Sequence, residues 1–207
     1  KYKEAIINYQ KALEINPNSV EAHTNLGSTY FNIRNFEKAS EHLKKAIRCD
    51  PDHIDAHWNR AINWLAMGKF SKGWQEYEWR WKREEFKKIA KDIPQPQWDG
   101  SIQKDKTLLV WHEQGYGDTF QFIRLITRVQ RKVKKVIVEV PESIRALINN
   151  IQAVDRTIKR GAPLPDFDIH CPLMSLPNLL NLKVDNIPAD IPYLQIPDNF
   201  TIEPNVL

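Results

Sequence analysis

The densest run of side chains that could do chemistry is His112-Glu113-Gln114-Gly115-Tyr116-Gly117-Asp118-Thr119. Glycines let backbone amides approach a ligand closely, and a helix beginning just beyond them favours an anion or a polarised hydroxyl. The plainer reading is a tight turn followed by a helix that Asp118 or Thr119 caps. A phosphate-binding P-loop is excluded, because no G-K-S/T follows the glycines. A zinc peptidase is excluded too, since His112-Glu113 lacks the second histidine of H-E-x-x-H. A dinucleotide fold asks for G-x-G-x-x-G; Gly115 and Gly117 supply two glycines, but Phe120 stands where the third belongs. Glu139 at the end of the next strand is placed for a ribose contact, which keeps that reading open.

These residues need a scaffold, and the flanking pattern supplies one. Thr107 to Trp111 is a short apolar run, as expected of a strand buried on both faces. A helix follows, with Phe122, Ile126, Val129 and Val133 on one face, and the basic run Arg131 to Lys135 reads as its end. Val136 to Val140 predicts a second strand, Pro141 to Ile151 a helix opening on proline, Arg156 to Lys159 a third strand, and Phe167 to Cys171 a fourth. Alternating strands and helices imply a parallel, Rossmann-like sheet with right-handed crossovers. The glycine run then sits beyond the carboxyl end of the first strand, where such sheets bind ligands. Eight prolines lie after residue 160, predicting an extended tail from Ile187-Pro188 to Ile196-Pro197.

The first part of the chain has a different period. Tyr2 and Phe36, Ala5 and Ala39, Ala12 and Ala46, and Pro17 and Pro51 are each 34 residues apart. Small residues at matched positions let helices approach, and each proline ends the second helix of a unit. This resembles the tetratricopeptide repeat (TPR), an α-helical solenoid. One full repeat runs from about Val20 to His53, preceded by half of another and followed by a third from Ile54. The third departs from the pattern: Gly73 stands where alanine is expected, and Trp74 to Trp81 is tryptophan-rich and expected to cap the array. Asn25 and Asn59 are also 34 apart, at a position expected to face the concave groove. An amide both donates and accepts, so stacked asparagines can hold an extended peptide backbone without reading its sequence. This is similar to the asparagine ladder of the O-GlcNAc transferases.

Composition excludes several classes. The 207 residues are 42% hydrophobic and 27% charged, ordinary for a globular chain. A net charge of +4, with basic residues spread among acidic ones, gives no nucleic-acid footprint. No apolar run is long enough for a transmembrane segment, and no signal peptide is visible. Two distant cysteines, Cys49 and Cys171, fit a reducing, cytoplasmic setting. The sequence opens at Lys1 inside a helical pattern, so the chain is expected to be a piece of a longer protein.

A longer resemblance joins the two halves. Gly73-Trp74, Tyr77 to Trp81, Pro96-Gln97-Trp98-Asp99-Gly100, Leu109 to Phe122 and Asp168 to Pro177 together resemble the bacterial tetratricopeptide-repeat glycosyltransferases. Their catalytic part is similar to the heptosyltransferases and, more distantly, to O-GlcNAc transferase, with the two-domain GT-B fold. The resemblance implies repeats over 1–92 with a tryptophan-rich cap, a linker over 93–106, and the Rossmann-like N-terminal half of a GT-B domain over 107–207. It implies that this half holds the acceptor, that a missing C-terminal half binds the nucleotide sugar, and that the glycine loop faces the cleft between them. Asp118 becomes the candidate general base, or else only a helix cap. Glu113, Gln114, Gly115, Gly117, Thr119, Gln121, Arg124 and His170 become candidate substrate contacts, Gln121 and Arg124 toward a sugar hydroxyl or diphosphate. D-x-D is absent, so neither a metal nor another cofactor is implied. The alternative is a repeat scaffold whose α/β part binds without catalysing.

Overall fold

A computed structural model of the chain describes residues 1–195; the end of the proline-rich tail, residues 196–207, lies outside them. The chain divides into two units, one of residues 1–90 with 181–186, the other of residues 91–180 with those from 187 on.

The first unit is a helical array: α1 (Tyr2–Ile15), α2 (Val20–Asn32), α3 (Phe36–Cys49), α4 (Ile54–Ala66), α5 (Phe70–Tyr77) and α6 (Glu84–Lys87). The 34-residue period recurs in its caps. Ser19 accepts the Ala22 N–H at 3.2 Å to start α2, and His53 accepts the Ala56 N–H at 3.2 Å to start α4. Leu26, Tyr30 and Ala39 form the core, with Ile6, Tyr9, Leu13 and Phe31 packed around it. Helix contact is close enough that a Cβ on Gly27 would meet Leu43 Cγ at 2.5 Å. Gly73, the departure from the repeat pattern, has the same reason: a Cβ there would meet Leu65 Cδ2 at 2.7 Å.

The array is remodelled where Arg80 replaces the small residue of the previous repeat, Ala46. Its guanidinium is fully buried, 5.0 Å from the Tyr77 ring and 4.5 Å from the Trp81 ring, and it donates to Glu78 at 2.9 Å. A side chain of that volume does not fit a helix contact built for alanine, and α5 gives way to a 3-10 turn over Glu78–Lys82. Both faces of Trp79 are covered, by the His57 ring at 3.5 Å and by Lys82 Nζ at 3.6 Å. The tryptophans thus close the array on itself.

The second unit is a four-stranded parallel sheet: β1 (Gln103–Trp111), β2 (Val133–Val140), β3 (Arg156–Lys159) and β4 (Ile169–Pro172), ordered β3-β2-β1-β4. Helices α7 (Tyr116–Phe122) and α8 (Ile126–Gln130) connect β1 to β2, α9 (Glu142–Asn149) connects β2 to β3, and α10 (Leu176–Leu179) follows β4. Leu108 to Trp111 are buried, as a two-sided central strand requires. Carboxylates just ahead of β4 and β3 take amides of the neighbouring strands: Asp168 accepts from Thr107 N–H and Asp155 from Val136 N–H, each at 2.7 Å.

Three sequence expectations change. The helix after the glycine run breaks into α7, a 3-10 turn over Ile123–Leu125, and α8. Val133, expected on that helix, opens β2 opposite Gln103, so the basic run from Arg131 leaves a turn and enters a strand. Residues 93–106 pack as part of the second unit: Trp98 is 2% exposed, donates its N–H to the His170 carbonyl at 2.7 Å, and covers the β4 edge.

Gly27→Ala is expected to destabilise the helical unit by about 1–3 kcal/mol, because Leu43 must move to admit the methyl. Urea denaturation followed by helical circular dichroism checks this; an unchanged midpoint would contradict the packing described.

Candidate functional site

The sheet order places a switch point at β1. The chain runs from β1 outward through β2 to β3, then returns to the other side of β1 as β4. Open parallel sheets bind ligands at the carboxyl ends of strands beside such a point. The glycine run lies there, following Trp111 directly.

Glu113 is 4% exposed and its Oε1 accepts the Met174 N–H at 2.9 Å. It therefore ties the loop after β1 to the turn after β4, across the switch point. Thr119, also buried, donates its hydroxyl to the Gly115 carbonyl at 3.1 Å. The N-cap of α7 is Gly115, not Asp118 or Thr119. Asp118 sits three residues into the helix and folds back, accepting the Gly115 N–H at 3.3 Å, because a carboxylate there can satisfy an amide left over by the helix start. Gln114 and Asp118 are half-buried, while Gly115, Gly117 and Gln121 are exposed.

Two candidate contacts are held elsewhere. Arg124 Nη1 donates to the Pro188 carbonyl at 3.5 Å, and its guanidinium lies 4.4 Å from the Tyr193 ring. Tyr193 in turn donates to the Phe120 carbonyl at 3.0 Å, so the described part of the tail folds onto α7. His170 is buried within β4 and accepts the Trp111 indole N–H at 3.2 Å; burial holds its pKa below the ordinary value. Glu139, considered for a ribose contact, is fully buried, paired with Lys91, and accepts the Gly161 N–H at 3.3 Å. His112 differs from all of these. It is 4% exposed and, among the described residues, neither ring nitrogen has a partner. Such a buried group costs about 1–3 kcal/mol.

In the helical unit, Asn25 is exposed and Asn59 half-buried at equivalent positions of α2 and α4. Among the described residues neither side-chain amide has a hydrogen-bond partner within the chain. Sequence reasoning missed a second set with the same spacing. His23 and His57 are 34 apart, and so are His42 and Glu76. His23 Nε2 faces the Pro17 carbonyl at 3.1 Å, and His57 Nε2 faces the Pro51 carbonyl at 2.8 Å. The partner at Nδ1 then changes: His42 at 3.0 Å in one repeat, Glu76 in the next, where Arg60 Nε also donates to Glu76 at 2.9 Å. A carbonyl only accepts, so Nε2 of neutral His23 carries the proton and its Nδ1 is a bare acceptor. His42 must therefore donate from Nδ1. Burial, and then the neighbouring His23, lower His42 from 6.5 to about 4.

Two family models match this unit, one for the TPR repeat over residues 1–33 and one for the tetratricopeptide repeat over residues 20–53. The helical unit carries tetratricopeptide repeats. No curated protein matches the chain. Among solved structures, the chain is similar to the first TPR of Spaghetti (RPAP3) bound to an HSP90 peptide, at 27% identity and a TM-score of 0.39 over 41% of this chain and 67% of that one. It is also similar to a mutant O-GlcNAc transferase of Thermobaculum terrenum, at 15% identity and a TM-score of 0.38 over 77% of this chain. The match spans 38% of that transferase chain. Among the described residues no helix is long and apolar enough to cross a membrane.

The His42 geometry sets a pH dependence. Unfolded, the ring takes up a proton near 6.5; folded, only near 4. Protons therefore favour the unfolded chain inside that window, and stability should fall as pH drops from about 6.5 toward 4. His112, His170 and His23 are shifted the same way and add to the slope. Urea midpoints at pH 7 and 4.5 should converge in His42→Gln relative to the parent chain; an equal loss in both would contradict the assignment.

Proposed function

We propose that the repeats hold an extended peptide segment of a protein partner or acceptor, and that the α/β unit is the acceptor-side half of a nucleotide-sugar transferase. The observation that carries the first part is the pair of unpartnered amides, Asn25 and Asn59, at the same position of successive repeats. Each offers one donor group and one acceptor, the two needs of a peptide unit. Their repetition matches an extended backbone rather than one side chain. The second part is supported by the Glu113 to Phe122 string, its resemblance to the repeat-containing glycosyltransferases, and its position at the sheet's switch point.

In this reading the nucleotide sugar is bound by residues outside this chain, and Asp118 accepts the proton of the acceptor hydroxyl. Only Oδ2 of Asp118 accepts the Gly115 N–H, which leaves its other oxygen to take that proton. That same hydrogen bond favours a second reading, in which Asp118 only caps α7 and the α/β unit is a non-catalytic binding platform. Neither Cys49 nor Cys171 is in a disulfide among the described residues, which suits a cytoplasmic protein.

Selection of a displayed random-peptide library on the 207-residue chain supplies probes for the groove. The double substitution Asn25→Ala with Asn59→Ala should weaken selected peptides about five- to 150-fold, as one lost hydrogen bond of about 0.5–1.5 kcal/mol at each position implies. Unchanged affinity would end the groove reading. For the α/β unit, Asp118→Asn in a longer protein containing this chain should lower sugar transfer by about 10²–10⁴. Transfer retained in that variant removes Asp118 as the base, and turnover of a nucleotide sugar by these 207 residues alone contradicts the half-site reading.

A further inference from the structure

Two independent features meet just beyond β1. The first is His112, buried to 4% exposure with both ring nitrogens unpartnered. The charged groups nearest it are already engaged: Glu139 with Lys91 and the Gly161 N–H, Asp118 with the Gly115 N–H. Arg160 is the third charged neighbour, and a cation cannot complete an imidazole's donor side. The second feature is the pair of glycines. A Cβ on Gly117 would meet nothing within 4 Å, and one on Gly115 would meet only Asp118 Oδ2, at 3.6 Å. Gly115 has an ordinary φ of −75°, so neither packing nor backbone strain in the free chain requires glycine there. Open space over the backbone begins three residues beyond a buried ring whose nitrogens have no partner among the described residues.

We propose that His112 is the polar anchor of a site for a neutral, hydroxyl-bearing ligand that sits over Gly115 and Gly117. Burial and the nearby Arg160 keep the ring neutral, so it presents one N–H and one lone pair. A hydroxyl compound matches both, accepting at one nitrogen and donating at the other. A phosphate dianion offers acceptors alone and leaves the ring's lone pair unmatched. Because the ring nitrogens are closed off in the free chain, the exposed Gly115-Tyr116-Gly117 segment moves aside as ligand enters. The inference deepens the acceptor-half reading and rests on it for the ligand being a sugar.

The test uses the 207-residue chain labelled with ¹⁵N-histidine. Its ring-nitrogen resonances are followed during titration with a panel of neutral monosaccharides and methyl glycosides, with inorganic phosphate as the anionic probe. At least one sugar should move the His112 ring nitrogens saturably. His112→Leu should weaken that sugar at least ten-fold without lowering Tm, His112→Gln should retain it within about three-fold, and Gly117→Ala should weaken it with Tm unchanged or raised. The proposal is overturned if no sugar moves these resonances, if phosphate moves them instead, or if His112→Leu lowers Tm, which would mark the ring as structural. Sugar binding without transfer by a longer protein would remove the transferase reading and leave this site standing. Transfer with silent His112 resonances would do the reverse.

Discussion

From Leu108 to Trp111 strand β1 is buried on both faces and paired on both edges, and the carboxyl end of the sheet is organised by that burial. Because β2 and β4 run parallel to it, their ends arrive at the same side as His112 and Glu113. Parallel pairing cannot be made by a tight hairpin, so each return requires a crossover, and the loops after β1 and β4 are left facing one another. The Glu113 carboxylate closes that gap by taking the Met174 amide. Asp168 and Asp155 do the equivalent where β4 and β3 begin, taking the Thr107 amide of β1 and the Val136 amide of β2. The site is thus held by buried backbone pairing, and only its glycine segment is exposed.

The helical unit obeys a comparable rule with different chemistry. Its helices meet through Gly27, Ala39, Ala46 and Gly73, and the larger side chains fill the space between them. Arg80 violates the rule once, and the array stops repeating at that point. Closure there consumes aromatic surface: Trp79 between His57 and Lys82, Trp58 against Tyr77 and Phe86. The amides of Asn25 and Asn59, by contrast, are left unspent among the described residues.

Most of the scaffold was legible in the sequence because it rests on local periodicity. The 34-residue spacing located α2 to α5, and the apolar runs located β1 and β2. Val133 was misplaced because a single valine fits the face of a helix and the start of a strand equally, and only its pairing with Gln103 decides. The Gly115 cap was missed because a residue without a side chain gives no capping signal, although Asp118 three residues later does. Glu113 and Met174 are 61 residues apart, and no local pattern joins them. The unsatisfied state of His112 is a property of its surroundings and had no sequence signature. The paired sets His23 with His57 and His42 with Glu76 could have been found, since the same period relates them.

In the proposed function the repeats grip peptide backbone through the Asn25 and Asn59 amides, which no other described residue uses. The most direct measurement is the side-chain amide spectrum of the ¹⁵N-labelled chain during titration with a peptide obtained by selection on it. The Asn25 and Asn59 NH₂ resonances should move together, with one affinity and with slowed solvent exchange. Saturation of the peptide with both resonances unmoved would contradict it.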